Sequence, residues 1–161
     1  MMEYINALLN KTSYLEDLKT LEDLEKDRPY CHHDFEHLLA VARIASLMAQ
    51  ENHADFAKED IYLAALLHDM GRIEEYQNKG EHHLASVNRA KKYFEQIGLP
   101  ACRQDLILKA IGNHRHQEDD AIGAFSLLLK KADKLSRNCF ICPAKESCYW
   151  SDEKKNHSII Y

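Results

Sequence analysis

Histidine and aspartate side chains on apolar helix faces are the residues of this chain best suited to chemistry. Ten histidines occur among 161 residues, and their placement is uneven. His37 is followed at i+4 and i+7 by Val41 and Ile44, which puts it on the apolar face of a predicted helix. An imidazole that points into a core must be hydrogen-bonded or bound to a ligand. His37 is therefore a candidate ligand.

Three later segments also bring a histidine or an aspartate to an apolar stripe. His68 shares a predicted helix face with Ile61, and Asp69 follows it at the C-terminal end of that helix. A carboxylate there faces the negative end of the helix dipole, an unfavourable position that a cation would offset. His114 and Asp133 likewise lie on the apolar stripes of two further predicted helices.

A shared metal ion explains these positions better than core packing does. Taken singly, an inward histidine is usually hydrogen-bonded within a core, and an aspartate at a helix end is usually a cap or an ion-pair partner. Taken together, they would leave several buried polar groups in need of partners. One metal centre satisfies all of them, and imidazole and carboxylate ligands suit Fe, Mn, Co, Zn or Ni.

Five segments, in this order along the chain, resemble the HD superfamily of metal-dependent phosphohydrolases. HLLAVARIA, which begins at His37, is similar to the helix of the family's first histidine, and LAALLHDMGR, which holds His68 and Asp69, is close to the central HD signature. HHLAS and LKAIGNH resemble the two extra histidine segments of the subset that holds two metals. KKADKL, around Asp133, is similar to the segment of the final aspartate. The resemblance covers about residues 30 to 137.

The resemblance implies ligands for two metal ions. The first would be bound by His37, His68, Asp69 and Asp133, and Asp69 would bridge to a second, completed by His82 and His114. The spacing to the following serine favours His82 over His83, and the spacing near the end of the next helix favours His114 over His116. Whether one metal or two bind is left open.

The resemblance further implies hydrolysis of a phosphoester or phosphoanhydride. In that chemistry a metal lowers the pKa of a bound water and so supplies a hydroxide nucleophile. His68 and Asp69 would act through the metals, while Arg72 and Lys134, as sequence neighbours of ligands, would hold phosphates. Arg137 is a further such cation, and a solvated surface charge is the alternative for each. The expected substrate is a small phosphorylated molecule, a nucleotide above others.

Other functions share the same ligands. The ligand set resembles that of HD enzymes that cleave dinucleoside tetraphosphates. Cyclic-dinucleotide phosphodiesterases are disfavoured, because their Gly-Tyr-Pro signature does not follow His116. Some HD-fold proteins are di-iron oxygenases, and ligand type alone does not separate these from hydrolases. A non-catalytic sensor of metal or nucleotide ranks last, because no ligand is missing.

A cysteine-rich tail follows the last predicted ligand. Cys139 and Cys142 form a CxxC pair, Cys148 lies six residues further on, and Cys31 is the candidate fourth ligand. Zinc or an iron–sulfur cluster would suit four such residues. The alternative is reduced thiols that pack as small apolar groups. An odd count of five cysteines argues against a disulfide framework. His32 and His33, next to Cys31, either line the site or lie on the surface.

The elements that position these residues are predicted to be helices only. Helical periodicity recurs along the chain, and no segment alternates apolar and polar residues as a strand does. We expect an all-α, single HD-domain bundle, divided as a helical segment over 1–28 packed on the core, an HD domain over 29–137 and a Cys-rich tail over 138–161. The expected helices begin near residues 13, 34, 58, 81, 103 and 123, and Gly71 is expected to end the third.

Charge and hydropathy narrow the range of partners that the sequence predicts. The formal net charge is -5 and the basic residues are scattered, which argues against a nucleic-acid polymer as partner. No apolar stretch approaches the length of a membrane span, and the first residues lack the basic start and apolar core of a signal peptide, so we expect no membrane partner and a cytoplasmic protein. The sequence leaves open a monomer or a homodimer.

Overall fold

Helices account for all the regular structure in the described part of the chain. A computed structural model describes residues 2–114 and 123–161. It contains α1 (Glu3–Lys11), α2 (Tyr14–Glu25), α3 (Phe35–Glu51), α4 (Lys58–Leu67), α5 (Arg72–Tyr76), α6 (His82–Ile97), α7 (Ala101–Asn113) and α8 (Ala124–Leu135). Over these ranges no strand occurs, and the predicted all-α class is confirmed.

The centre of the bundle is α4. Its residues from Leu63 to Leu67 are all buried, and it contacts α1, α3, α6, α7 and α8. A helix that is apolar on all sides is typically buried in the middle of a core. Its C-terminal end carries His68 and Asp69, which are 0% and 1% exposed. The most buried helix thus delivers the HD pair to the interior.

The helices around α4 bring their ends to the same place. α3 packs on α4 and α8, and α7 packs on α4, α6 and α8. α3 begins after Asp34, whose side chain accepts a hydrogen bond from the backbone N–H of His37 at 2.9 Å. This cap places His37 in the first turn of α3, at the end of the bundle where α4 terminates.

The buried stripe of α2 differs from the predicted one. The leucines at three-residue steps from Leu15 to Leu24 predict a stripe that includes both of these residues, but Leu15 and Leu24 are 48% and 41% exposed. Steps of three residues drift by roughly 60° each around a helix of 3.6 residues per turn, so these two leucines point in opposite directions. The residues actually buried are spaced at i, i+4, i+7 and i+11: Tyr14, Leu18, Leu21 and Glu25.

Gly71 has a different function from the expected one. α4 ends at Leu67, and the φ of Gly71 is -73°, so it is not a left-handed helix cap. A Cβ on Gly71 would lie 2.1 Å from the backbone oxygen of His82 and 2.2 Å from the backbone nitrogen of Ser86. The glycine therefore lets the turn after α4 touch the backbone of α6. The Gly71 N–H donates to Ser86 Oγ at 2.8 Å, which fixes that contact.

The C-terminal tail, residues 138–161, contains only two short 3-10 turns, Cys139–Ile141 and Asp152–Lys154. Cys139 is its one buried residue. None of the helices described for this chain has the length and apolar character needed to cross a bilayer.

Candidate metal centre

Three elements meet at a first ligand set. It consists of His37 from α3, His68 and Asp69 from the turn after α4, and Asp133 from α8, whose ligand atoms all lie within 4.8 Å of one another. His37 Nε2 is 3.3 Å from Asp133 Oδ1. His68 Nε2 is 3.1 Å from Asp69 Oδ2. Two imidazoles and two carboxylates at this separation fit a single divalent ion.

A second ligand set shares Asp69 with the first. It adds His82, the first residue of α6, and His114, directly after α7. Asp69 Oδ1 is 3.5 Å from His82 Nε2 and 3.9 Å from His114 Nε2. The two oxygens of Asp69 therefore face different sets, Oδ2 the first and Oδ1 the second. Asp69 would therefore be the residue shared by two metals if both sets were occupied.

Two buried atoms of the first set show that the residues fit a metal. Within the described chain, His68 Nε2 and Asp133 Oδ1 are buried and have no hydrogen-bond partner. A buried polar atom without a partner costs about 1–3 kcal/mol. A divalent cation between them would satisfy both the imidazole lone pair and the carboxylate charge.

Backbone carbonyls orient two of the imidazoles. His68 Nδ1 donates to the Ala65 carbonyl at 2.7 Å, and His114 Nδ1 donates to the Ile111 carbonyl at 2.6 Å. A carbonyl only accepts, so the proton sits on Nδ1 when the ring is neutral, and the Nε2 lone pair turns toward the ligand sets. Such outer partners fix the ring and its tautomer in metal sites.

Side chains orient the other two imidazoles. Ser136 Oγ donates to the Asp133 backbone oxygen at 2.7 Å, so at 3.1 Å it accepts from His37 Nδ1. His82 Nδ1 lies 3.0 Å from Glu75 Oε1. The sequence analysis did not single out Ser136 or Glu75. Ser136 could have been found from the sequence, because it lies three residues after the predicted ligand Asp133. Glu75 could not, because the turn between α5 and α6 is what brings it to His82.

The two buried aspartates are held as carboxylates. Burial alone would raise the pKa of Asp69, but His68, Arg72 and His33 lower it well below its usual value. Burial would likewise raise the pKa of Asp133, but the neighbouring His37, His68 and Arg137 lower it well below its usual value. Both side chains are therefore charged at neutral pH and available to a cation.

The imidazoles of the first set titrate in opposite directions. Burial lowers the pKa of His37 to about 4 from the ordinary 6.5. Burial would also lower the pKa of His68, but Asp69 and Asp133 raise it to about 10. For metal-free protein, the stability from neutral His37 is present above pH 6.5 and is lost as the pH falls toward 4. The stability from protonated His68 is present below pH 6.5 and is lost as the pH rises toward 10.

His33 and Glu25 form a buried pair beside the first set. His33 Nδ1 is 2.6 Å from Glu25 Oε1, and His33 Nε2 is 3.7 Å from Asp69 Oδ2. The two side chains are 4% and 1% exposed. The sequence left His33 undecided and did not nominate Glu25. Glu25 could have been found from the sequence, because it lies at i+11 from Tyr14 and so places a charge on the apolar stripe of α2.

The predicted cations lie in different surroundings. Arg72 Nε donates to Asp69 Oδ1 at 2.8 Å, beside the bridging carboxylate. Arg137 donates to His37 Nε2 at 2.9 Å, so a metal at this nitrogen requires the guanidinium to turn aside. Lys134 is exposed, and it is not among the described residues that line the cavity at the centre.

The predicted alternatives to the two histidines of the second set are placed as follows. His82 belongs to the set, whereas His83 lies 3.3 Å from Glu81 Oε2 and belongs to neither set. His114 belongs to the set, and His116 lies outside the described residues.

A cavity of about 160 Å³ opens onto the ligands His114 and Asp133. Five basic residues line it: Arg28, Arg72, Arg137, Lys145 and Lys155. Three aromatic residues line it as well: Tyr30, Tyr149 and Trp150. Apart from its metal ligands, the cavity therefore combines positive charge with aromatic surface.

Comparisons with known proteins agree with this arrangement. The HD domain family matches residues 34–138. An uncharacterized protein of Clostridium beijerinckii is 38% identical over 160 residues, which cover 99% of this chain and 100% of that protein. The crystal structure of a predicted HD superfamily hydrolase from an uncultured Thermotogales bacterium has the same fold, with a TM-score of 0.63 and 22% identity over 94% of this chain and 86% of that one.

Ribonuclease Y proteins are similar over part of their length. That of Petrotoga mobilis is 31% identical over 128 residues, which make up 78% of this chain but 22% of the ribonuclease. That of Acetivibrio thermocellus is 31% identical over 75% of this chain and 21% of its own length. This chain thus spans about a fifth of the ribonucleases it matches. The stretch matched by the HD domain contains every residue of both ligand sets, and the chain belongs to the HD domain family.

Proposed function

We propose that the protein is a phosphohydrolase that uses one or two divalent metals to cleave a phosphoester or phosphoanhydride of a small molecule, a nucleotide above others. Membership of the HD domain family and the His/Asp ligand sets support a metal-dependent hydrolase in general. The observation that carries the finer proposal is the bridging position of Asp69 next to a cavity lined by five cations.

The cavity charge supports a phosphorylated substrate. The chain as a whole has a formal net charge of -5, so the five basic residues around the cavity are a local reversal of sign. Arginine guanidinium groups match phosphate oxygens with paired hydrogen bonds, and lysines add positive charge. Arg72 and Arg137 contact the ligand aspartates and reach the reacting phosphoryl group, while Lys145 and Lys155 are suited to a more distant phosphate.

The aromatic residues support a nucleoside portion. Tyr30 and Tyr149 contact each other edge to face, with ring centroids 5.6 Å apart, and Trp150 lines the same cavity. Bases stack on such rings whatever their identity, and each stacked base contributes about 1–3 kcal/mol. This preference does not choose among the bases.

The protein's own residues prepare the reaction. Divalent metals, when bound, lower the pKa of a water and neutralise charge on the phosphoryl oxygens. Asp69 would contribute to both metal positions, because its Oδ2 lies near His68 and its Oδ1 near His82. His33 donates its Nδ1 proton to Glu25, so its Nε2 lone pair, 3.7 Å from Asp69 Oδ2, is available to accept a proton from a water held beside that carboxylate. His33 is thus the proposed proton acceptor.

The similarity to ribonuclease Y favours a second candidate, cleavage of a phosphodiester in RNA. Two-metal hydrolysis serves diesters and anhydrides alike. Against an RNA polymer stand the net charge of -5 and the gathering of cations in one cavity of about 160 Å³ rather than along a surface. A short oligoribonucleotide is the form of RNA that such a cavity suits best.

One substrate panel separates these candidates. Purified full-length protein, supplied in turn with Mn, Fe, Co, Zn and Ni, is assayed on mononucleotides, nucleoside di- and triphosphates, dinucleoside tetraphosphates, cyclic dinucleotides and a labelled oligoribonucleotide. Asp69→Asn is the inactive variant. His83→Ala is the matched control, because His83 neighbours His82 yet belongs to neither set.

The proposal expects release of phosphate or nucleotide from a small nucleotide, lost in Asp69→Asn and retained in His83→Ala. Cleavage of the oligoribonucleotide alone would move the assignment to the ribonuclease candidate. Iron-dependent oxygen consumption without phosphate release would overturn both and favour the oxygenase. Turnover that survives in Asp69→Asn would overturn the metal assignment itself.

A further inference from the structure

Four of the five cysteines line the cavity beside the metal centre. Cys31 comes from the extended segment between α2 and α3, and Cys139, Cys142 and Cys148 come from the C-terminal tail. All four are unpaired thiols, and Cys139 is buried while the other three are partly exposed. Residues more than 100 positions apart in sequence therefore present thiols to one enclosed space.

The local backbone gathers the CxxC thiols. Cys139 begins a 3-10 turn, and the Cys142 N–H donates to the Cys139 carbonyl at 3.3 Å. Side chains at i and i+3 of such a turn lie on the same side. Burial raises the pKa of the Cys31 thiol, Arg137 opposes that rise, and Cys142, Cys139 and Cys148 add to it. The three tail thiols therefore lie within electrostatic reach of Cys31.

The tail has too little apolar burial to hold its own position. Over residues 138–161 only Cys139 is buried, and no residue of the tail joins the hydrophobic core. Its contacts with the rest of the chain include the edge-to-face pair of Tyr30 and Tyr149 and a few polar contacts, such as Tyr30 Oη donating to the Ser147 carbonyl at 3.2 Å. Segments that cannot build a core are commonly stabilised by disulfides or by a structural metal.

We propose that Cys31, Cys139, Cys142 and Cys148 bind a second kind of metal centre, zinc or an iron–sulfur cluster held by four thiolates, which tethers the tail to the segment before α3. The tethered tail then forms the cavity wall that carries Lys145, Tyr149 and Trp150. The thiols lose their protons on binding, and the sulfur atoms are neither oxidised nor reduced.

The spacing of the sulfur atoms and the charge around them indicate which metal centre the four cysteines could hold. Among the described residues, no three of these sulfurs lie within 4.8 Å of one another. A zinc with Zn–S bonds of about 2.3 Å would draw them closer than that, whereas a cluster places its own iron and sulfide between them. The negative charge of four thiolates exceeds the positive charge of a zinc ion or of an iron–sulfur core. Arg28, Arg137 and Lys145 line the same cavity and offset the excess negative charge.

The experiment uses full-length protein purified without chelator and without oxygen. Zinc, iron and acid-labile sulfide are quantified per chain, and the visible absorption spectrum is recorded. The variants are Cys31→Ser and Cys139→Ser, with Cys102→Ser as the matched control, because Cys102 is exposed and does not line the cavity. Limited proteolysis reports how firmly the tail is held, and circular dichroism verifies that the helices persist.

We expect zinc, or iron with sulfide and its visible absorption, in the wild type, in Cys102→Ser and in Asp69→Asn. Cys31→Ser and Cys139→Ser should lose that metal, keep their helices and become more rapidly cleaved within the tail. Unchanged metal content in both cysteine variants would overturn the proposal. A wild type that takes up neither centre when it is supplied with zinc, or with iron and sulfide, would also overturn the proposal. Thiolate-bound metal without any phosphate release would instead count against the proposed hydrolase alone.

Discussion

Replacement of Gly71 by alanine should separate the two ligand sets. The added Cβ would lie 2.1 Å from the His82 backbone oxygen, whereas ordinary contacts begin at 3.4 Å. The turn after α4 and the start of α6 must therefore move apart by about 1.3 Å, because both partners are backbone and no rotamer change relieves the contact. His82 is the first residue of α6 and moves with it.

The displacement is large compared with what a metal tolerates. His82 Nε2 lies 3.5 Å from Asp69 Oδ1, and metal–ligand distances hold to about ±0.2 Å. Loss of a mere outer partner weakens metal binding about 10–100-fold, so loss of the ligand itself should weaken the second site at least that much. Overpacking also costs about 1–3 kcal/mol, and each kcal/mol lowers the Tm of a chain this size by roughly 2–4 °C.

Titration calorimetry with Mn²⁺ measures the effect. Mn²⁺ suits carboxylate and imidazole ligands, whereas thiolates select softer metals, so the cysteines do not contribute. Gly112→Ala is the matched control, because its Cβ would meet only Val87 Cγ2 at 3.5 Å, an ordinary contact. We expect Gly71→Ala to keep one tight site and lose the second, and Gly112→Ala to keep both. Two unchanged sites in Gly71→Ala, with an unchanged Tm, would refute the reasoning.

Three further predictions follow from the site. His33→Gln should keep both Mn²⁺ sites while kcat falls on the order of 100-fold, because the proposed proton acceptor is gone. Lys145→Gln should raise KM without changing kcat, and Lys134→Gln should leave both unchanged, because only Lys145 lines the cavity; steady-state kinetics compares the two. Metal-free protein should be most stable near pH 6.5 and less stable on either side, as His37 is protonated toward pH 4 and His68 deprotonated toward pH 10, measured by urea unfolding.

Each of these predictions has an outcome that contradicts it. An unchanged kcat in His33→Gln would show that the buried pair of His33 and Glu25 takes no part in the reaction. A raised KM in Lys134→Gln, with none in Lys145→Gln, would favour the phosphate contact predicted from sequence over the one indicated by the cavity. Stability that rises steadily from pH 4 to pH 10 would show that His68 is not held protonated in the metal-free protein.

The sequence predicted the parts of the site that depend on helix periodicity and local motifs. His37, His68 and Asp69 lie on or just after helices whose apolar faces are readable from spacing. The structure brings all six predicted metal ligands into two sets around Asp69. Assignment of metal to these sets remains a prediction, which the Mn²⁺ titration tests.

Tertiary contacts explain what the sequence could not predict. Gly71 looked like a helix end because glycine commonly serves there, but its function is set by the backbone of α6, which no local pattern reports. Glu25 and His33 become a pair because the segment between α2 and α3 folds back on the end of α2, where Tyr76 of α5 also donates to Glu25. Lys134 follows Asp133 in sequence, yet on a helix adjacent residues point about 100° apart, so it faces away from the ligands.

The bridging role of Asp69 is the central claim, and Mn²⁺ stoichiometry tests it most directly. Wild type, His82→Gln and Asp69→Asn are compared by titration calorimetry, with hydrolysis of the best substrate measured on the same samples. The claim predicts two sites in the wild type, one in His82→Gln, and weakening of both sites together with loss of hydrolysis in Asp69→Asn. An Asp69→Asn protein that retains two tight Mn²⁺ sites would contradict it.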